Sequence, residues 1–141
     1  MIKNIKFKNY RAFKNWQEIE LKPLTILVGP NSAGKSSILK LFGMLFQSQS
    51  KDDYDYFTFN GPLADLGNQK SIAGDTSQPV SIEIQTRKEY KKEVEQEKSK
   101  GGKQPTNQST RFRWDISQYH TNLSIKTPGF QELKFSVNNY L

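Results

Sequence analysis

Apolar residues recur along this chain in two rhythms, and a third stretch follows neither. Ile2, Ile5 and Phe7 mark a short strand of imperfect alternation. Further on, Trp16, Glu18 and Glu20 fall on one face of a second strand, with Ile19 and Leu21 on the other. The turn "NYRAFKN" between them predicts an antiparallel hairpin. Residues 24–28, "LTILV", are an almost continuous apolar run, the pattern of a strand buried on both faces. In "KSSILKLFGMLFQ", Ile38, Leu39, Leu41, Phe42, Leu45 and Phe46 recur at spacings of three and four, which predicts an amphipathic helix. Gly43 inside it costs the helix about 1 kcal/mol relative to Ala, so close packing against a neighbour is expected there. "QSQSKDD" ends the helix, and residues 60–79 collect turn formers: Gly61-Pro62, Gly67, Gly74 and Pro79.

From residue 80 the rhythm becomes that of strands. Val80, Ile82 and Ile84 alternate with polar residues, and so do Phe112, Trp114 and Ile116, then Leu123 and Ile125, then Leu133, Phe135 and Val137. Four such segments predict an antiparallel meander with one buried face. The first two enclose "RKEYKKEVEQEKSKGGKQPTNQSTR", residues 87–111, whose few apolar residues cannot offset the ordering entropy. A mobile, basic hairpin is expected there.

Composition narrows the class. A chain of 141 residues is one ordinary domain by length. Its 34% hydrophobic content and mean hydropathy of −0.77 are low for a compact globule, which points to a polar insertion or a partial domain. No stretch reaches the roughly 18 apolar residues of a membrane span, and "MIKNIKFKNY" lacks the apolar core of a signal peptide. With no cysteine, disulfides and thiolate metal sites are excluded, and a cytoplasmic location is expected. The net charge is +7, and residues 87–113 hold nine basic and four acidic side chains. Such a run suits nucleic-acid phosphates or simply a solvated loop.

The chemistry is concentrated in Gly29, Pro30, Asn31, Ser32, Ala33, Gly34, Lys35 and Ser36, which fit G-x-x-x-x-G-K-[ST] at every fixed position. The two glycines permit backbone angles and close approach that a side chain forbids. Successive N–H groups converge on phosphate oxygens, aided by the positive end of the following helix. Lys35 brings charge to the β- and γ-phosphates and serves as the catalytic cation, while the Ser36 hydroxyl is a Mg²⁺ ligand. A phosphate loop for ATP with Mg²⁺ is predicted, with an apolar strand before it and an amphipathic helix after it.

"IKNIKFKNYRAFKNWQEIELKPLTILVGPNSAGKSSILKLF" resembles the start of ABC-type ATPase heads of the SMC, RecF and OLD-like group. There a strand ending in F-x-N-[FY]-R-x-[FL] precedes L-x-x-L-x-x-[IL]-x-G-x-N-x-[AS]-G-K-[ST]. "FTFNGPLADLG" and "VSIEIQ" further resemble bacterial AAA-annotated ATPases of that group, several of which belong to anti-phage defence systems. The resemblance is specific over residues 2–46, loose over 57–86 and absent beyond. It implies an α/β P-loop NTPase of ABC type, represented by its N-terminal lobe, with an antiparallel meander after the Walker A helix. It implies Asn31 and Ser37 in the shell of the loop, and Arg11 with Asn9 near the nucleotide. A fixed guanidinium at Arg11 suits phosphate, though an exposed turn residue reads the same way. Ser32 stands where many ABC proteins have Gly.

No four apolar residues followed by Asp-Glu occur, nor an LSGG-like signature, and His120 in "SQYHTN" reads as a solvated turn residue. Gln47, Gln69, Gln85 and Gln118 are glutamines without a distinguishing pattern, and Asp65-Leu66-Gly67 reads as a turn. The expectation is a partial ATPase head: residues 1–50 carry hairpin, P-loop strand and helix, 51–79 a turn-rich connection, and 80–141 a β lobe. It would hydrolyse ATP only when completed by a Walker B and signature from beyond these residues, through a head-to-head homodimer or another chain. DNA and an effector protein are candidate partners, with no membrane association. The alternative is a non-catalytic module that binds nucleic acid or a partner through the basic hairpin. A phosphotransferase is disfavoured, because no acceptor-site base or lid pattern can be located.

Overall fold

The computed structural model describes residues 2–48, 57–87, 109–117, 120–129 and 131–138. Strand β1 (Ile2–Lys8) pairs antiparallel with β2 (Gln17–Glu20), placing Ile5 opposite Ile19. The other side of β1 pairs with β3 (Val80–Arg87), with Phe7 opposite Ile82 and Ile5 opposite Ile84. Strands β4 (Ser109–Ile116), β5 (His120–Lys126) and β6 (Leu133–Asn138) continue the meander, so the sheet order is β2-β1-β3-β4-β5-β6. The expected hairpin and the expected four-stranded meander are both present, joined edge to edge through β1 and β3.

Because side chains alternate across a strand, the apolar positions of all these strands fall on one face. Ile5, Phe7, Val80, Ile82, Ile84 and Ile116 line it, and the helix α1 (Lys35–Gln47) packs Leu41 and Met44 onto them. Phe57, Ala64, Leu66 and Ile72 close the core, Ile72 from the short helix α2 (Gln69–Ile72). The opposite face is polar: Lys6 pairs with Glu18 at 3.0 Å, Arg111 with Glu83 at 3.2 Å and Arg113 with Asp115 at 3.1 Å.

Two expectations are corrected here. Residues 24–28 are not a doubly buried strand: they join no ladder, and Leu24, Ile26 and Val28 stand 77%, 72% and 86% exposed. Burial on both faces requires neighbouring strands flanked by helices, and every pairing in this sheet is antiparallel and lies elsewhere. For the same reason the α/β P-loop arrangement is not what the described residues form. They form an antiparallel sheet with one 13-residue helix and one four-residue helix on a single face. The basic hairpin expected at residues 87–111 falls mainly on 88–108, outside the described residues, as do 49–56 and 139–141.

Gly43 shows why glycine sits mid-helix. A Cβ there would lie 2.9 Å from the Ala64 Cβ and 3.0 Å from the Leu63 carbonyl oxygen. Gly43→Ala gains about 1 kcal/mol of helix propensity but forces overlap with backbone, at about 1–3 kcal/mol. A lower melting temperature is expected, and an increase would show that residues 63 and 64 yield freely. At the end of α1, buried Gln47 anchors the same segment. Its Nε2 donates to the carbonyls of Thr58 (2.6 Å) and Ala64 (3.0 Å), and its Oε1 accepts from the Leu63 and Ala64 amides. Among the described residues no helix is long and apolar enough to cross a membrane.

Candidate functional site

The helix α1 begins without a side-chain cap. Gly34 occupies the N-cap position at φ 91°, no side chain accepts a hydrogen bond there, and the first turn has no acidic residue. Backbone donors at such an end and the aligned peptide dipoles favour an anion. The preceding loop is exposed from Gly29 through Ala33, with Gly29 at φ 152° and Ser32 at φ 66°. Ser32, where glycine was the commoner residue by resemblance, therefore adopts the left-handed region with a side chain in place. Lys35 folds back over the loop and donates to the carbonyls of Gly29 (2.7 Å) and Pro30 (2.6 Å). Pro30 also accepts from the Ala33 amide at 3.3 Å. Asn31 lies on the exposed rim, Ser36 is exposed on the first turn of α1, and Ser37 is half-buried beside it.

These residues suit a polyphosphate: uncapped amides, one cation within the loop and a hydroxyl at the helix start. Ser36 is the residue that could meet a phosphate-bound Mg²⁺, which keeps most of its shell as water and phosphate oxygens. Among the described residues, no group of three or more His, Asp or Glu could hold a metal by itself.

The turn after β1 brings a second set of residues to this place. Asn9 and Arg11 both have positive φ, 55° and 51°. The Asn9 amide donates to the carbonyls of Asp75 (2.8 Å) and Gln78 (2.9 Å) and accepts from the Asp75 N–H (2.7 Å). It thus secures the loop at 74–79, a role the resemblance did not suggest. Arg11 donates its backbone N–H to Ile72 at 2.7 Å, and its Nε is buried without a partner. Its guanidinium lies beside the Tyr10 hydroxyl. Burial pushes that hydroxyl up to about 12, with Arg11 opposing the shift by charge and hydrogen bond. Tyr10 in turn donates to the Ser37 carbonyl at 3.0 Å. Arg11 therefore lies beside the residue that grips the first turn of α1.

Tyr10 and Phe13 stand at the [FY] and [FL] positions of the motif F-x-N-[FY]-R-x-[FL], which attaches no role to either. Their signal was present as aromatics at 7, 10 and 13 through an otherwise polar turn. Phe7 meets Tyr10 edge-on at 6.0 Å between ring centres and Phe13 at 5.3 Å. His120 and the turn at 65–67 make local structural contacts, and Gln118 lies outside the described residues. His120 is exposed, and its carbonyl accepts from Ser117 N (2.9 Å) and Oγ (2.8 Å). Gly67 N donates to Asn60 Oδ1 and Asp65 Oδ1, closing the expected turn. Trp114 turns to the core face and meets Phe57 edge-on at 5.7 Å, so it is not available beside the basic run.

A family model described as an AAA ATPase domain matches residues 1–140 of the chain. No curated protein and no solved structure matches it.

Proposed function

Since this chain belongs to the AAA ATPase domain family, we propose that it is the ATP-binding portion of an ABC-type, SMC-like ATPase head. The observation that carries the reading is the Walker A loop at residues 29–36, opening onto an uncapped helix start with Lys35 held across it. On binding, the loop amides receive the phosphates, and Lys35 exchanges two neutral carbonyls for phosphate oxygens, a charge-assisted contact. Ser36 would hold a Mg²⁺ brought in with the nucleotide, whose charge would offset that of the phosphates. Arg11, with an unpartnered buried Nε and a place beside Tyr10, is the second cation of the site.

Turnover needs a Walker B carboxylate pair, and no run of four apolar residues followed by Asp-Glu occurs in this sequence. We assign them to elements outside these residues, seated against the exposed run Leu24, Ile26 and Val28, in a head-to-head dimer or with a completing chain. Opening and closing of such heads would switch a DNA-directed or effector activity.

Calorimetry with the intact protein tests the reading. MgATP and MgADP are expected to bind, and AMP to show no heat, because recognition rests on the β-phosphate and beyond. Absence of MgATP binding, or equal affinity for AMP, would overturn it.

A further inference from the structure

The Walker A loop is not held by its own residues alone. The tip of the Phe13 ring stands directly against Gly34: a Cβ there would collide with Cζ and lie 2.8 Å from Cε2. Three residues later the Tyr10 hydroxyl donates to the Ser37 carbonyl at 3.0 Å. These contacts fall on either side of Lys35 and Ser36, the two residues that would meet phosphate and Mg²⁺ on the reading above.

The turn that presents them is itself fixed from several directions. Tyr10 and Phe13 exchange backbone hydrogen bonds, Tyr10 N to Phe13 O at 3.1 Å and Phe13 N to Tyr10 O at 2.9 Å. Arg11 N reaches Ile72 O, and Gly74 N reaches Asn9 O at 3.1 Å. Gly74 must lack a side chain, since a Cβ would come 2.5 Å from the Arg11 carbonyl. Both aromatic rings rest edge-on against Phe7 of β1. Two non-glycine residues in the left-handed region, Asn9 and Arg11, persist only where surroundings over-determine them.

We propose that the turn at residues 9–13 is a clamp on the phosphate loop, with Phe13 and Tyr10 as positioning residues that fix the backbone around Gly34 and the first turn of α1. Phe13 sets how far the loop can close at Gly34, and Tyr10 sets the azimuth of α1 through Ser37. The sheet, through β1, thereby orients the amides that receive phosphate. The inference rests on the reading of residues 29–36 as a nucleotide phosphate loop.

A double-mutant cycle on MgATP affinity in the intact protein separates a clamp from simple packing. Gly34→Ala adds a methyl group into the ring tip at a residue with φ 91°, so affinity is expected to fall about a hundredfold. Phe13→Leu keeps most of the buried volume but withdraws the tip, and a loss of about fivefold is expected. In the Phe13→Leu background, Gly34→Ala is expected to cost about tenfold less than in the wild type, the remainder being backbone strain. Tyr10→Phe removes only the hydroxyl and is expected to weaken MgATP about fivefold.

Packing alone would lower melting temperatures while leaving the affinity of the folded protein unchanged and the two losses additive. Additivity within about twofold, with MgATP still bound by the wild type, overturns the clamp and leaves the phosphate-loop reading standing. Failure of the wild type to bind MgATP overturns both. Should melting show Phe13→Leu unfolded, Tyr10→Phe decides: wild-type affinity there overturns the clamp.

Discussion

Lys35→Ala is expected to abolish MgATP binding by the intact protein at concentrations that saturate the wild type. In the free loop the ammonium group donates to Gly29 and Pro30 carbonyls, which are neutral acceptors at an exposed site. Phosphate offers it a full opposite charge. Removing one partner of a close ion pair costs about 3–5 kcal/mol when the other is left desolvated, which is more than about a hundredfold in affinity. The uncapped start of α1 contributes partial charge only, worth about 0.3–1 kcal/mol near the surface, and cannot replace it.

The same substitution removes a half-buried side chain whose hydrogen bonds go to exposed carbonyls, so the melting transition is expected to move by no more than about 1 kcal/mol. Its two lost hydrogen bonds free carbonyls that water reaches. A folded protein without MgATP affinity is therefore the expected result by calorimetry and thermal melting together. Unchanged affinity in Lys35→Ala would sink the ATP-binding reading.

The parts of the fold governed by local periodicity were legible in the sequence. The helix runs Lys35–Gln47, the same thirteen residues that the apolar spacing marks, because Gly34 opens it and the polar Gln47 and Ser48 close it. Strand faces were legible for a similar reason. Alternation alone puts Ile82 and Ile84 on one face and turns Glu83 to the other, where it meets Arg111, while only the long-range pairing of β3 with β1 sets them opposite Phe7 and Ile5. Legibility ended where a residue's environment comes from distant chain. Asn9 sits in the motif that resembles a nucleotide-proximal element, yet its amide is committed to carbonyls at Asp75 and Gln78, some seventy residues away in sequence. Nothing local announces that pairing. Phe13 matches the last position of F-x-N-[FY]-R-x-[FL], but its meaning lies in the distance from its ring tip to Gly34, which no motif carries.

Residues 24–28 expose a different limit, and from it comes the second large expectation. Apolar composition reports that a segment favours burial, not which surface buries it. Leu24, Ile26 and Val28 project from an extended run that is tied down at its start by Thr25 Oγ1, which accepts from Lys22 N at 3.1 Å. Covering each of these side chains is worth about 1.5–3 kcal/mol, enough together to seat the strand of a completing element beside the phosphate loop. Ile26→Asp should therefore separate the two halves of the problem. In the 141-residue chain the core of Ile5, Phe7, Leu41 and Ile82 does not involve residue 26, so the melting transition is expected to shift by less than about 0.5 kcal/mol. Where the proposed completing element covers residues 24–28, the aspartate would have to be buried without a partner, at several kcal/mol. ATP turnover is expected to fall at least about tenfold, the equivalent of only 1.4 kcal/mol of that penalty. Wild-type turnover in Ile26→Asp would show that residues 24–28 remain uncovered in the working protein, and that the catalytic carboxylates reach the nucleotide by another route.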